Sequence, residues 1–385
     1  MHILKILFKN AFRHKLRTVL TVMSITIALL AFGLLRTVIN AWYAGVEASS
    51  SYRLVTRNAV SIIFPLPLSY KDRIRQVDGV SNVSWGNWFG GIYIDEKNFF
   101  ANFAVDARTY FDLYREYSLP EDQKIAFMRD RKGFVAGRKL AQRFGWKVGD
   151  TVVLKGTIFP GNWEFIMRGI YKGREPSADE TVFVFHWDYL NESLKKAQSA
   201  RVDQVGFYII GIQDPGRAVS VSENIDALFK NSFAETITET EKAFTLGFVA
   251  MSDAIITAIE LVSFVVIIII LAVVANTVAM SVRERTNEYA ILKTLGFGGW
   301  RIAGLILGES IIITMMGCAV GIAATYPAAT GFGKAMGQYF PVFHVSFETI
   351  LLDIIFSAAV GILAALVPIF RTLKIKIADG LRMVE

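Results

Sequence analysis

Four stretches of the chain are almost unbrokenly apolar. They run from about Thr18 to Leu35 (TVLTVMSITIALLAFGLL), about Ala254 to Val282 with VVIIIILAVVAN at the centre, about Ile302 to Tyr326, and about Ile350 to Phe370. A bilayer core takes roughly 20 apolar residues in helical form, because the backbone finds no water there and must bond within the segment. The pattern therefore predicts four transmembrane helices, at 18–40, within 249–282, at 302–327 and at 350–370. Basic residues precede the first stretch and the small-residue run NAWYA follows it, as in a signal peptide. Its apolar run is too long for that and three more spans follow, so it is expected to stay as a signal anchor.

Between the first two spans, positions 41–248 alternate short apolar runs with turn residues and polar helical stretches. AVSIIF, GVSNVSW, FGGIYI and NFFANFAV predict strands around the short helix SYKDRIRQV. GFVAG, TVVLKGTIF, WEFIMRGIY and TVFVF predict a β-rich subdomain inserted at about 108–203, after which DQVGFYIIGI returns as a strand and PGRAVSVSENIDALFKNS as a helix. This is an α+β arrangement. The following ETITETEKAFTLGFVAMSDAIITAIELV has no Pro and predicts one helix running into the second span as a stalk.

Composition agrees with a membrane chain. Of 385 residues 53% are hydrophobic and 19% charged, and the mean hydropathy is +0.41. The net charge of +7 suggests nucleic acid or anionic lipid as a partner, and its distribution decides between them. Lys5, Lys9, Arg13, Lys15 and Arg17 precede the first span; Arg283, Arg285, Lys293 and Arg301 lie between the second and third; Arg371, Lys374, Lys376 and Arg382 follow the fourth. Only Glu284, Glu288, Asp379 and Glu385 oppose them, a balance of +9, whereas 41–248 holds 26 basic and 25 acidic residues. With four spans the three basic segments share one side, which the positive-inside rule makes the cytoplasm. Both termini are then cytoplasmic, 41–248 and the short loop 328–349 are extracytoplasmic, and the charge records topology and lipid headgroups rather than nucleic acid. The single Cys318 and the scattered His2, His14, His186 and His344 point to neither a disulfide framework nor a metal site.

Residues 1–17 predict an amphipathic cytoplasmic helix, with Lys5, Lys9, Arg13 and Arg17 four apart and Leu4, Leu7, Phe8, Ala11, Phe12 and Leu16 on its other face. Anchoring at the lipid surface is its simplest role. In the loop 283–301, Arg283, Glu284, Arg285 and Glu288 are too charged to bury, while Tyr289, Ile291, Leu292 and Leu295 put an apolar stripe on one short helix that Gly296 stops. Such a helix suits a groove on a cytoplasmic partner, or else lies flat on the lipid. Glu309, within the third span, calls for a protein partner or polar cavity, whereas Glu260 and Asp353 are expected near the membrane surface. Gly304/Gly308 and Gly317/Gly321 form two GxxxG pairs for close helix packing. In the extracytoplasmic domain Trp85, Trp88 and Phe89 of WGNWFGG are a candidate substrate or partner surface.

The loop RERTNEYAILKTLGF (283–297) resembles the signature of MacB/FtsX-like ABC transporter permeases, in which a basic Arg, a Glu and an apolar-Leu-Arg/Lys-x-Leu-Gly run follow the second span. ILFKNAFRHKLRTVLTVMSI is similar to the family's leading helix and first span, PIFRTLKIKIADGLR to its closing segment, and KLAQRFGWKVGDTVVL to a Gly-x-x-Val-Gly-Asp segment of the MacB-type periplasmic domain. The resemblance implies an α-helical membrane fold with a MacB-like periplasmic core, in the bacterial inner membrane. It makes Arg283, Glu284, Arg285, Glu288, Tyr289, Leu292, Lys293, Leu295 and Gly296 a coupling element for an ATPase.

No GxxxxGK[ST] run occurs, GFGKAMG having the wrong glycine spacing. The chain is thus expected to be a non-catalytic, stand-alone permease that binds no cofactor. ATP and Mg belong to a separate dimeric ABC ATPase, and a second permease copy or related permease completes the complex. A periplasmic adaptor or outer-membrane component is a further partner of this plan. The function implied is mechanotransmission, with ATP hydrolysis moving the extracytoplasmic domain to export or extract a hydrophobic or lipidated substrate. The alternative is an FtsX-like signalling transducer that activates an envelope enzyme without transport.

Overall fold

The structure, a computed structural model, describes residues 7–8, 10–175, 177–336, 340 and 342–374. Lys5 and Lys9 of the leading helix, and the tail with Lys376 and Arg382, lie outside the described residues. The chain forms two compact units, one of Met1–Ala41, Ser252–Ala335 and Phe343–Glu385, the other of Trp42–Met251 and Met336–Val342.

Among the described residues, four helices are long and apolar enough to cross a membrane: Lys15–Glu47, Asp253–Glu284, Gly299–Met336 and Phe347–Lys374. The third runs past the expected end near Tyr326, carrying Pro327 inside it. A proline leaves one carbonyl unbonded, which spanning helices tolerate where local groups compensate.

Small residues and hydroxyls set the packing of the helical unit. A Cβ added to Gly317 would fall 2.5 Å from Ile25 Cγ2 and one on Gly321 3.1 Å from Leu29 Cβ, so this pair lets the first and third spans touch backbone to side chain. Gly304 of the other pair has open space around it. Ser310 Oγ donates to the Gly361 carbonyl at 2.7 Å, and Ser357 Oγ donates to the Thr314 carbonyl at 2.9 Å. The third and fourth spans are thus stapled in both directions. Asp353, expected near the surface, is instead buried among the helices, while Glu260 is exposed and faces Arg36 at 3.9 Å.

The other unit is α/β. Its strands are β1 (Arg53–Asn58), β2 (Leu66–Pro67), β3 (Val80–Trp88), β4 (Gly91–Ile92), β5 (Asn102–Val105), β6 (Tyr117–Ser118), β7 (Gly133–Gly137), β8 (Thr151–Gly156), β9 (Gly161–Gly173), β10 (Phe183–His186), β11 (Gln204–Val205), β12 (Phe207–Ile212) and β13 (Thr236–Thr240). One hydrogen-bonded path runs β13-β1-β12-β3-β5-β10-β7-β9-β8-β4, with β6 on β9 and a separate β11-β2 pair. Pairing along it is antiparallel except at β5–β10 and β7–β9. The segment 108–203 supplies β6 to β10 and rejoins the sheet where β10 lies beside β5. Leu54, Val83 and Ile210 share one core with Phe134, Phe165 and Phe183 of that segment.

Three local expectations change. AVSIIF is not a strand: the strand is the preceding RLVTRN, and Asn58 Oδ1 and Ser61 Oγ accept from Val60 N and Ile63 N, closing side-chain turns before Pro65. TITET, expected as helix, is β13. Its Thr236 and Thr238 face inward, where the Asp226 carboxylate accepts from both hydroxyls, and β-branched residues at period two favour a strand. The stalk helix is two helices, Glu241–Ala250 and Asp253–Glu284. Ser252, at φ −105° and ψ 8°, interrupts them, and its carbonyl accepts from Ile255 N and Ile256 N to start the second.

Arg53 at the start of β1 is buried. Its Nε donates to Glu241 Oε2 at 2.9 Å and its Nη2 to Glu116 Oε1 at 2.6 Å, and the guanidinium lies 4.2 Å from the Tyr114 ring centroid. It therefore joins β1, the helix that follows β13, and the segment leading to β6. Arg53→Ala would leave two carboxylates without their cation and should destabilise the domain by about 3–5 kcal/mol in denaturant unfolding. In the helical unit, Gly317→Leu should cost about 1–3 kcal/mol through overpacking against Ile25. Gly304→Leu should stay within about 0.5 kcal/mol, both read from thermal denaturation of the purified protein.

Candidate docking site at the 283–301 loop

The second span ends at Glu284, and Arg285, at φ −104° and ψ 13°, is at once its C-cap and the start of the helix Thr286–Thr294. Gly296 closes that helix at φ +85°, a left-handed conformation open to glycine. Phe297 N donates to the Leu292 carbonyl and Gly296 N to the Lys293 carbonyl, which completes the cap.

This short helix divides the predicted stripe in two. Tyr289, 1% exposed, turns into the bundle with Ala290 and packs in the cluster that holds Ala11, Ile302 and Ile306. It is therefore not part of a docking face, as its place in the stripe had suggested. Leu292 is half-buried. Leu295 is 70% exposed, and Ile291, Phe297 and Trp300 are exposed with it. Phe297 and Trp300 escape the stripe pattern because they lie beyond the Gly296 stop.

The charged residues divide likewise, and the expectation that all four stay unburied fails at Arg285. Its Nη1 donates to Glu309 Oε2 at 2.8 Å and its Nε to Glu288 Oε2 at 3.1 Å. Glu288 also accepts from Arg13. Glu309 Oε1 accepts from Ser281 Oγ at 2.9 Å, so the acid in the third span finds its partners within the chain. Arg17 Nη1 donates to Glu284 Oε2 at 2.8 Å, while Arg283 is exposed. Lys293 Nζ donates to the Thr372 and Leu373 carbonyls at 2.9 and 3.2 Å, capping the fourth span. A cavity of about 10 Å³ beside Glu309, lined also by Arg17, Thr18 and Ser281, has room for about one water.

Arg13 and Arg17, read in the sequence as lipid anchors, are thus partners of Glu288 and Glu284. The signal was there: two basic residues four apart match two acids four apart. What the spacing could not supply was that the two segments lie side by side. Of the aromatic trio in the α/β unit, Trp85 and Phe89 are buried core residues and Trp88 alone is exposed, edge-on to Phe103 at 5.0 Å. Residues 85 and 89 share one face of an alternating strand and residue 88 takes the other, so the trio is not a single surface.

Burial raises the Glu288 carboxyl, but the hydrogen bonds from Arg13 and Arg285 outweigh it and hold the group below the usual carboxylate range. Burial pushes the Tyr289 hydroxyl up to about 12. The arrangement holds the helix by its charged residues and leaves Ile291 and Leu295 exposed.

Residues 260–377 match the family described as FtsX-like permease C-terminal. The chain is 24% identical to the uncharacterized ABC transporter permease MJ1507 of Methanocaldococcus jannaschii, over 97% of this chain and 96% of that protein. It is 36% identical to the uncharacterized ABC transporter permease YvrN of Bacillus subtilis over 110 residues, 28% of this chain but only 26% of that protein. The periplasmic region of MacB from Actinobacillus actinomycetemcomitans aligns with 53% of this chain and 95% of its own length, at a TM-score of 0.38 and 11% identity. The extracellular domain of YknZ from Gram-positive bacteria aligns with 49% of this chain and all of its own length, at a TM-score of 0.37 and 11% identity. Over residues 260–377 the chain is thus similar to FtsX-like permeases, and its sequence relatives are described as ABC transporter permeases.

The lowered Glu288 pKa sets a pH window. A carboxylate whose folded pKa is depressed contributes stability above its unfolded value, and that contribution is lost as pH falls through the folded one. Hydrogen-exchange protection factors for 286–294 should therefore hold from about pH 8 to about pH 5 and fall below about pH 4. In Glu288→Gln the low-pH step attributable to this group should disappear.

Proposed function

We propose that this chain is the permease subunit that couples ATP hydrolysis on a separate ABC ATPase to movement of the α/β domain, and that the 283–301 loop is where the ATPase docks. One observation carries the reading: Ile291 on the helix Thr286–Thr294, and Leu295, Phe297 and Trp300 just after it, stand exposed, while Arg13, Arg285, Glu309 and Lys293 brace that helix. A braced apolar face at the basic end of the spans fits a groove on a cytoplasmic partner, and the balance of +9 in the segments around it favours that side. ATP and Mg bind the partner, and two permease copies complete the complex.

The serine hydroxyls between the third and fourth spans are spent on backbone carbonyls of the neighbouring helix. This favours a hydrophobic or lipidated substrate moved by the α/β domain over a polar path through the bundle. The double variant Leu295→Glu/Trp300→Glu should insert normally and keep its thermal stability while ATPase co-purification falls at least about tenfold, equivalent to about 1.4 kcal/mol of binding. Undiminished co-purification would refute the docking assignment.

A further inference from the structure

We propose that Glu309 is the positioning residue that makes the docking helix and the third span move as one body, with Arg285 as its intermediary; the inference rests on the coupling reading above. Three polar anchors hold the docking helix: Arg13 to Glu288, Arg285 to Glu309, and Lys293 to the carbonyls at the end of the fourth span. The two ion pairs are unequal. The side chains of Arg13 and Glu288 are 55% and 41% exposed, a setting in which solvent and salt screen most of the attraction. Those of Arg285 and Glu309 are each 11% exposed, so this pair acts at low local dielectric and holds its geometry.

The position of Arg285 matters as much as its burial. It occupies the one non-helical residue between the second span and the docking helix, the place where a rigid helix would otherwise swivel. Its planar guanidinium engages Glu288 on the docking helix and Glu309 on the third span, and a fork that grips two carboxylates on different elements fixes their relative direction. Ser281 holds the other Glu309 oxygen from the second span. A push on the docking face is therefore delivered to Glu309 and not absorbed at the hinge. Packing alone would be served as well by apolar residues of similar volume, and a charged fork at a hinge is what direction requires.

The test uses the full-length permease in lipid nanodiscs, alone and with its ATPase. In Glu309→Gln, which keeps size and removes charge, amide exchange across 286–294 should quicken at least tenfold while exchange in 53–240 stays within twofold. Permease-stimulated ATP hydrolysis should fall at least fivefold with ATPase co-purification held within twofold. The charge-exchanged double variant Arg285→Glu/Glu309→Arg should restore both readouts to within threefold of the native protein. Exchange across 286–294 within twofold of native in Glu309→Gln overturns the proposal. So does a folded double variant whose helix is as loose as in the single one, and this second arm decides the matter if Glu309→Gln fails to fold. The exchange measurement needs no ATPase, so if the native permease binds none, the coupling reading fails while the Glu309 anchor is still judged on exchange alone.

Discussion

A bilayer interior offers polar groups no solvent partner, and the helical unit is arranged around that constraint. Hydroxyls of Ser310 and Ser357 reach across to backbone carbonyls, and Gly317 and Gly321 remove side chains so that the first and third spans can close. Ser281 and Arg285 both donate to Glu309, inside the third span. Arg285 can do so only because the second span breaks at that residue. The same ion pair thus satisfies a buried acid and ties the junction before the helix Thr286–Thr294 to the third span.

The α/β unit solves a different problem with similar means. Its sheet gathers strands from both sides of the 108–203 segment into one core, with Phe89 among Phe159, Trp163, Phe165 and Phe185. Arg53 secures the end of the sheet where the chain enters and leaves, gripping Glu241 and Glu116. A cation buried between two carboxylates and over an aromatic face contributes little net stability compared with an apolar cluster, but it tolerates only one arrangement of the three segments. Both units therefore place an arginine gripped by two carboxylates at a junction between elements.

The readings that failed did so for a common reason. TITET looked like the start of a helix because Glu and Thr are compatible with one, and it became β13 because β1 offers a partner edge and Asp226 accepts from Thr236 and Thr238. AVSIIF had the apolar content of a strand, but Asn58 just before it and its own Ser61 closed turns first. Tyr289 sat on the expected stripe, yet it is buried in the bundle while its neighbour Glu288 pairs with Arg13. Each competing state lies close in local energy, and a contact distant in sequence made the choice.

The sequence by itself determined the four spans, the mixed α/β domain between the first two, the short helix stopped at Gly296, and the concentration of positive charge in three segments. These follow from apolar length, from charge counts and from the overall alternation of apolar and polar runs, which are local properties. Only the tertiary structure decided which loop side chains hold and which are offered, that Arg13 and Arg17 meet Glu288 and Glu284, and that Glu309 is answered by Arg285. A helix's periodicity says which residues share a face, but the direction of that face is set by whichever neighbour buries it, and that neighbour lies up to 275 residues away along the chain.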